Sequence, residues 1–207
     1  PIPSRGLGDV YKRQLAPEAF VEQTFDLAPI LKIHPSFETH KGERKGIVFN
    51  LCPVPLDAYG HTNPKMEERR ITYICQTIYR VWEETKEPIA LINLNAQDKA
   101  DAKISEQICA KLKNKVPIEV IPYCASPFYA IENISRFKAI VSMRLHGCIL
   151  GYLSGTPTLA LNYHTKCREW CQQIGLQSTY RFEANEIRPQ QLASTLIEGI
   201  KLSLIHI

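Results

Sequence analysis

The chain has 207 residues, of which 44% are apolar and 22% are charged, and this composition excludes a disordered or fibrous protein. The formal net charge of +4 is mild and the Lys and Arg residues are scattered along the chain, so the sequence calls for no nucleic-acid partner. No run approaches the roughly 18 uninterrupted apolar residues that a membrane helix needs, and the first residues do not read as a signal peptide.

Both ends of the chain are predicted to be foreign to the natural protein. Residues 1–14 lack an initiator Met and show no periodicity, and residues 202–207 add an unrelated apolar tail to a helical pattern. Residues 15–45 are interpreted as a connection from a missing N-terminal domain. No low-complexity linker divides residues 46–201, which we therefore expect to form one C-terminal domain.

Strands and helices are predicted to alternate through that domain. Short apolar, β-branched runs indicate buried strands, and longer runs with apolar residues at helical spacing indicate helices. In chain order the predictions are strand 46–51, helix 65–86, strand 88–94, helix 98–113, strand 116–123, helix 127–137 with Ser126 as N-cap, strand 139–142, helix 145–154, strand 158–161, helix 165–174 with Gly175 as C-cap, and helix 189–201. This alternation predicts an α/β fold, a doubly wound, Rossmann-like parallel sheet with helices on both faces.

The loop after the fourth predicted strand carries the most chemistry. In parallel sheets, ligands bind where strands end and helices begin, because free N–H groups and the helix dipole favour anions there. The segment Ser142-Met143-Arg144-Leu145-His146 places a hydroxyl, a guanidinium and an imidazole within one turn of such a helix start. Arg144 is suited to phosphate or carboxylate, and His146 to donating a proton. The following helix is almost wholly apolar, and Gly147 and Gly151 are expected to let it approach the sheet closely.

The loop after the fifth predicted strand offers a second cation, Lys166, which either joins the same anion site or stays solvated. A zinc site built from His164, Cys167 and Cys171 is the weaker interpretation, because no fourth ligand at suitable spacing appears. We therefore predict no metal.

Seven cysteines are dispersed along the chain, and several lie inside apolar runs, where a free thiol packs as a small hydrophobe. We expect all of them to be reduced, at positions 52, 75, 109, 124, 148, 167 and 171. Reduced cysteines and the lack of a membrane span together predict a cytoplasmic protein.

Several segments together resemble the C-terminal signature of the polysaccharide pyruvyl transferase family. The matching segments are Ile140-Val-Ser-Met-Arg-Leu-His146, Gly155-Thr-Pro157, Tyr163-His-Thr-Lys166 and Ile174-Gly175-Leu176. The resemblance implies a likeness to the C-terminal domain of two-domain GT-B glycosyltransferases. It also implies transfer of the enolpyruvyl group of phosphoenolpyruvate to a sugar of a polysaccharide or lipid-linked glycan, as a pyruvate ketal.

By this resemblance, Arg144, Leu145 and His146 hold phosphoenolpyruvate beside Ser142, with Arg144 on the phosphate or carboxylate and His146 as proton donor. Lys166 matches the family's lysine after the tyrosine loop. The implied partners are phosphoenolpyruvate, a sugar acceptor and the missing N-terminal domain. The reaction needs an anion site and an acid, and no cofactor is expected.

Two other functions fit the same sequence features. A GT-B glycosyltransferase or sugar-nucleotide epimerase would use the same helix start for a nucleoside diphosphate, but such donors usually need a carboxylate for the ribose. Near the site loops no Asp or Glu ahead of Glu169 is well placed for this role, which favours the smaller donor. A non-catalytic binding module of the same fold is the second alternative, against which the intact Arg144 and His146 argue.

Overall fold

The structure is a computed structural model, and it describes residues 27–54, 62–96 and 99–202. The segment 1–14 and residues 203–207, both predicted to be foreign, lie outside the described residues. Most of the predicted connection is described, from residue 27 onward. Leu202 is the last residue of a helix that begins at Pro189, so the final helix extends one residue beyond its predicted end.

Six strands of the described chain form one parallel sheet in the order β3-β2-β1-β4-β5-β6. The strands are β1 Ile47–Asn50, β2 Ile89–Ile92, β3 Ile118–Ile121, β4 Ala139–Ser142, β5 Thr158–Asn162 and β6 Arg181–Glu183. Every pairing is parallel, and β1 and β4 lie side by side although two strand-and-helix units separate them in the chain. The predicted doubly wound, Rossmann-like fold is confirmed, whereas the likeness to GT-B enzymes stays a prediction.

Six α-helices of the described residues connect and cover these strands. They are α1 Pro64–Thr85, α2 Ala100–Leu112, α3 Pro127–Ser135, α4 Leu145–Leu153, α5 Thr165–Gln173 and α6 Pro189–Leu202. Among the described helices, none has both the length and the apolar character that a membrane span requires. The predicted caps are confirmed at two of them: the Ser126 side chain accepts from Tyr129 N at the start of α3, and Gly175 has φ +70° just beyond α5.

Side chains alternate between the two faces of the sheet, and each face has its own core. On one face, strand residues such as Phe49 and Leu91 pack with apolar residues of α1, α2 and α6. On the other face, Val48 and Ile140 pack against α3, and Ala160 packs against α4 and α5. This pattern explains why the four inner strands, β2, β1, β4 and β5, read as continuous apolar runs, since both of their faces are buried.

Two features were not predicted from the sequence. The edge strand β6 has only three residues, Arg-Phe-Glu, and lacks the apolar run that indicated the other strands. The predicted connection contains a 3-10 helix, Ala28–Ile33, and is fixed to the domain further along. There Arg44 donates to the carbonyls of Ser154 and Gly155 at the end of α4. The described part of this segment is therefore packed against the sheet domain.

Candidate functional site

The strand order creates a switch point between β1 and β4, because the chain proceeds outward from β1 in one direction and from β4 in the other. In parallel α/β sheets, ligands bind at the carboxyl ends of the strands beside such a point. Arg144 lies there, two positions beyond Ser142, the last residue of β4, and it is the N-cap residue of α4. The segment singled out from the sequence thus occupies the place where this fold usually binds ligands.

The backbone and side chain of Arg144 have separate roles. Its carbonyl accepts a helical hydrogen bond from Cys148 N at 3.1 Å. Its side chain makes no cap hydrogen bond and instead reaches Asp101. Nε donates to Oδ1 and Oδ2 of Asp101 at 3.0 and 2.9 Å, and Nη2 donates to Oδ1 at 2.5 Å. The result is a bidentate ion pair in which the side chain of Arg144 is 21% exposed and that of Asp101 is fully buried.

One carboxylate ahead of Glu169 does lie at this site, Asp101, although it is not placed to bind a ribose. Asp101 lies in the first turn of α2 and accepts a hydrogen bond from Leu94 N at 3.0 Å. Helices α2 and α4 begin at the same edge of the sheet, so residues 43 positions apart in the sequence meet. The carboxylate is committed to Arg144 and has no exposed surface to offer to a ribose.

Two more side chains approach Arg144 from neighbouring strand ends. Cys52 follows β1 and Tyr163 follows β5, and burial raises the pKa of each to about 12. Burial lowers the pKa of the Arg144 guanidinium, but the hydrogen bond to Asp101 and the nearby Cys52, Asp101 and Tyr163 raise it more, so the pKa lies above its ordinary value. At neutral pH, Arg144 is therefore charged while Cys52 and Tyr163 are not.

Ser142 and Gly147 form the floor of the site. The Ser142 side chain is buried, and its hydroxyl lies 2.9 Å from the carbonyl oxygen of Arg144 and 3.1 Å from Oδ1 of Asn50. A Cβ on Gly147 would stand 2.2 Å from the Ser142 oxygen, which no real contact permits. On Gly151 it would stand 2.6 Å from the Thr158 hydroxyl. The predicted close approach of α4 to the sheet is thus confirmed. The Ser142 hydroxyl donates to the backbone carbonyl of Arg144, within the same loop.

The remaining residues of the segment lie in the first turn of α4. Leu145 is half-buried and packs against the cluster formed by α4 and α5. His146 is exposed, two positions after Arg144. The imidazole is therefore available to a molecule that approaches the start of this helix, whereas Leu145 contributes to packing.

Lys166 lies at the start of the neighbouring helix. Strands β4 and β5 are paired, and Cys167 Sγ in the first turn of α5 lies 3.7 Å from the carbonyl oxygen of Met143. The loops that follow these two strands therefore lie side by side. The Lys166 side chain is exposed, and its backbone N donates to Nδ1 of His164, the N-cap of α5.

The residues considered for zinc have other partners. His164 caps α5 through Nδ1, Cys167 contacts Met143 O, and the Cys171 thiol lies 3.9 Å from Asn162 Oδ1. Burial raises the pKa of both thiols, that of Cys171 to about 12, which disfavours the thiolate that zinc requires. Within the described ranges, no group of three or more His, Cys, Asp and Glu side chains is arranged to hold a metal ion.

Sequence reasoning missed three members of this cluster: Asp101, Cys52 and Tyr163. One signal was available for Asp101, since it follows a predicted strand and opens a predicted helix, as Arg144 does. All such positions lie at the same edge of a parallel sheet, so opposite charges there are expected to meet when their strands are close. Cys52 carried no comparable signal, because it reads as an ordinary loop residue. Tyr163 belongs to a segment of the family resemblance, but the resemblance gave it no role of its own.

The family model of polysaccharide pyruvyl transferases matches residues 21–165, more than half of the chain, and the matched range includes Asp101, Arg144 and His146. No curated protein matches the chain.

Proposed function

This chain belongs to the polysaccharide pyruvyl transferase family, and we propose that it transfers the enolpyruvyl group of phosphoenolpyruvate to a sugar of a polysaccharide or lipid-linked glycan as a pyruvate ketal. The observation that carries the proposal is the guanidinium of Arg144, partly exposed at the switch point, with the exposed side chain of His146 in the first turn of the same helix. These two groups supply what the donor requires, a cation for its anionic groups and an acid for its methylene carbon.

The reaction balances without an oxidant or reductant. Protonation of the methylene carbon of phosphoenolpyruvate makes its C2 electrophilic. Two sugar hydroxyls then add to C2, the C–O bond to phosphate breaks, and the products are a ketal and inorganic phosphate. One of the two hydroxyl protons restores the acid that protonated the methylene carbon. The other proton leaves with the phosphate.

Each residue has a defined role in this proposal. Arg144 binds the phosphate or the carboxylate through the part of its guanidinium that Asp101 does not occupy. His146 donates the proton to the methylene carbon. Lys166 supplies a second positive charge from the neighbouring helix start, and Leu145 and Ser142 fix the shape of the loop.

The state of Asp101 supports the smaller donor over a nucleotide sugar. Its carboxylate faces Arg144 and Leu94 N, and the residue is fully buried. A ribose-binding carboxylate must instead present an oxygen to the ligand.

We include a cytoplasmic location in the proposal, because all seven cysteines are free thiols in the structure and five of them are buried.

The proposal is tested by transfer from isotope-labelled phosphoenolpyruvate to a mixture of neutral oligosaccharides with 1,2- and 1,3-diols. We expect labelled, acid-labile carboxylate on the sugar and release of inorganic phosphate. His146→Ala should lower turnover about 100-fold, the typical contribution of a proton-transferring group. His34→Ala, which alters another imidazole of the described chain, is the matched control and should retain wild-type turnover.

Transfer that is undiminished in a folded His146→Ala variant would remove His146 from the mechanism. A wild-type chain that binds a nucleotide sugar and ignores phosphoenolpyruvate would replace the proposed function with that of a glycosyltransferase. Circular dichroism of each variant separates loss of turnover from loss of fold.

A further inference from the structure

We propose that Asp101 is a positioning residue, which holds the guanidinium of Arg144 so that only its outer edge faces the anionic donor. This inference rests on the proposed function for the identity of the donor. Nothing in the sequence signature points to Asp101, which lies in a different strand-and-helix unit from the Arg-Leu-His segment.

The geometry of the ion pair divides the guanidinium into two edges. The inner edge, Nε and Nη2, donates to Asp101. The outer edge, formed by Nη1 and the second N–H of Nη2, receives no acceptor from the described residues. That edge has the spacing that binds phosphate or carboxylate through two parallel hydrogen bonds. Fixing the inner edge therefore sets the direction in which the outer edge points.

Asp101 is itself held in place. Leu94 N donates to Oδ2, and the residue lies in the first turn of α2, where the helix dipole stabilises a carboxylate. The adjacent Asn93 side chain accepts from Ser105 Oγ at 2.8 Å, which ties α2 to the end of β2. With no exposed surface, Asp101 does not touch substrate, so its effect must pass through Arg144.

The opposite charges of Asp101 and Arg144 affect how the pair binds an anionic donor. Asp101 and Arg144 together carry no net charge, so the pair attracts an anion through the geometry of its donors more than through net charge. A lysine at position 144 would keep the positive charge but not the second edge. If Asp101 positions Arg144, its loss weakens donor binding, and if it only neutralises Arg144, its loss strengthens donor binding.

The test is a double-mutant cycle on phosphoenolpyruvate binding, measured by calorimetry with the 207-residue chain. We expect Asp101→Asn to raise the Kd at least about 10-fold, because the amide cannot accept from both guanidinium nitrogens and Leu94 N. We expect Arg144→Ala and Arg144→Lys to raise it more. Adding Asp101→Asn to Arg144→Ala should change the Kd by less than about twofold, since the group being positioned is already absent.

Glu183→Gln is the matched control. Glu183 accepts from Nε and Nη2 of Arg168 at 2.9 and 2.8 Å, the same bidentate arrangement on exposed side chains. We expect it to leave the Kd unchanged. Tighter binding by Asp101→Asn, or additive effects of Asp101→Asn and Arg144→Ala, would overturn the positioning role.

A second measurement does not depend on phosphoenolpyruvate. In the wild-type chain, the Nε–H of Arg144 should give a slowly exchanging NMR signal, assigned by its absence in Arg144→Lys, and Asp101→Asn should abolish the slow exchange. If this signal behaves as expected but the wild-type chain does not bind phosphoenolpyruvate, the positioning of Arg144 stands and the proposed donor is wrong. If the Nε–H exchanges rapidly in the wild-type chain, the positioning role is wrong whatever the donor.

Discussion

Two arginine–carboxylate pairs of this chain share one geometry and differ in their surroundings. Arg144 with Asp101 and Arg168 with Glu183 both use Nε and Nη2 to hold a carboxylate. Asp101 is fully buried and Arg144 is 21% exposed, whereas Arg168 and Glu183 are 52% and 39% exposed. The first pair lies beside the switch point, and the second lies at the β6 edge of the sheet.

The contrast shows that bidentate geometry alone assigns no role to an ion pair. In water, an exposed pair gains little, because solvent screens its charges and ordering the side chains costs entropy. A buried carboxylate depends on its partner, and that partner is held in one orientation. Only the first pair combines a fixed arginine with access to a ligand, so variants of the two pairs should differ, most of all in stability.

Asp101→Ala should lower stability more than any other variant discussed below. It leaves the partly buried Arg144 without its counter-charge and should lower the free energy of unfolding by about 3 kcal/mol or more. Glu183→Ala should lower it by about 0–1 kcal/mol. Urea denaturation of both variants measures the difference, and equal losses would show that burial does not distinguish the pairs.

Arg144→Ala should weaken phosphoenolpyruvate binding by about 2–4 kcal/mol, or about 30- to 1000-fold in Kd, because it removes one member of a desolvated ionic contact. Arg168→Ala removes an equally charged side chain from the start of α5 and should leave the Kd within about twofold. Titration calorimetry measures both. Similar weakening by the two variants would mean that the donor responds to general positive charge and not to a site at Arg144.

Gly147→Ala tests the floor beneath Arg144. The added methyl group would lie 2.2 Å from the Ser142 oxygen and 2.9 Å from Asn50 Oδ1, so α4 must move away from the sheet. We expect a loss of about 1–3 kcal/mol in the free energy of unfolding, as is usual for overpacking. Pairing this variant with Ser142→Ala should recover part of the loss, and no recovery would mean that the clash with Ser142 is not its cause.

Alkaline pH should lower the free energy of unfolding gradually. Burial raises the pKa of Cys52 from 9.0 to about 12, so its contribution to stability is fully present below pH 9. Between about pH 9 and 12 the unfolded chain loses a proton that the folded chain keeps, and the free energy of unfolding should fall by about 1.4 kcal/mol per pH unit for this thiol. Cys52→Ala should reduce the slope, whereas Cys124→Ala, which removes an exposed thiol, should not.

Most of the fold could be predicted from the sequence, because buried parallel strands are continuous apolar runs. The predicted strand 139–142 matches β4 residue for residue, and the capping serine and C-cap glycine indicated accurate helix limits at Ser126 and Gly175. Strand β6 escaped prediction because its three residues carry no apolar periodicity, and Phe182 is its only apolar side chain.

The candidate site was only half predictable. Local spacing identified Arg144 and His146, because both belong to one helix start. Asp101, the partner of Arg144, was missed because it lies 43 residues earlier in the chain. No local sequence pattern predicts the strand order that brings the two helix starts together. The roles of Arg144, His146 and Lys166 in binding and catalysis stay predictions.

If the outer edge of Arg144 binds phosphoenolpyruvate at the switch point, a comparison of two donors at this helix start should show it. Labelled phosphoenolpyruvate is titrated into the wild-type chain while NMR follows the Arg144 side chain and the backbone amides of residues 144–147, and UDP-glucose is titrated in parallel. We expect saturable shifts confined to this helix start, caused by phosphoenolpyruvate and absent with UDP-glucose. Binding of UDP-glucose at these residues, or phosphoenolpyruvate shifts that persist in Arg144→Ala, would contradict a phosphoenolpyruvate site at Arg144.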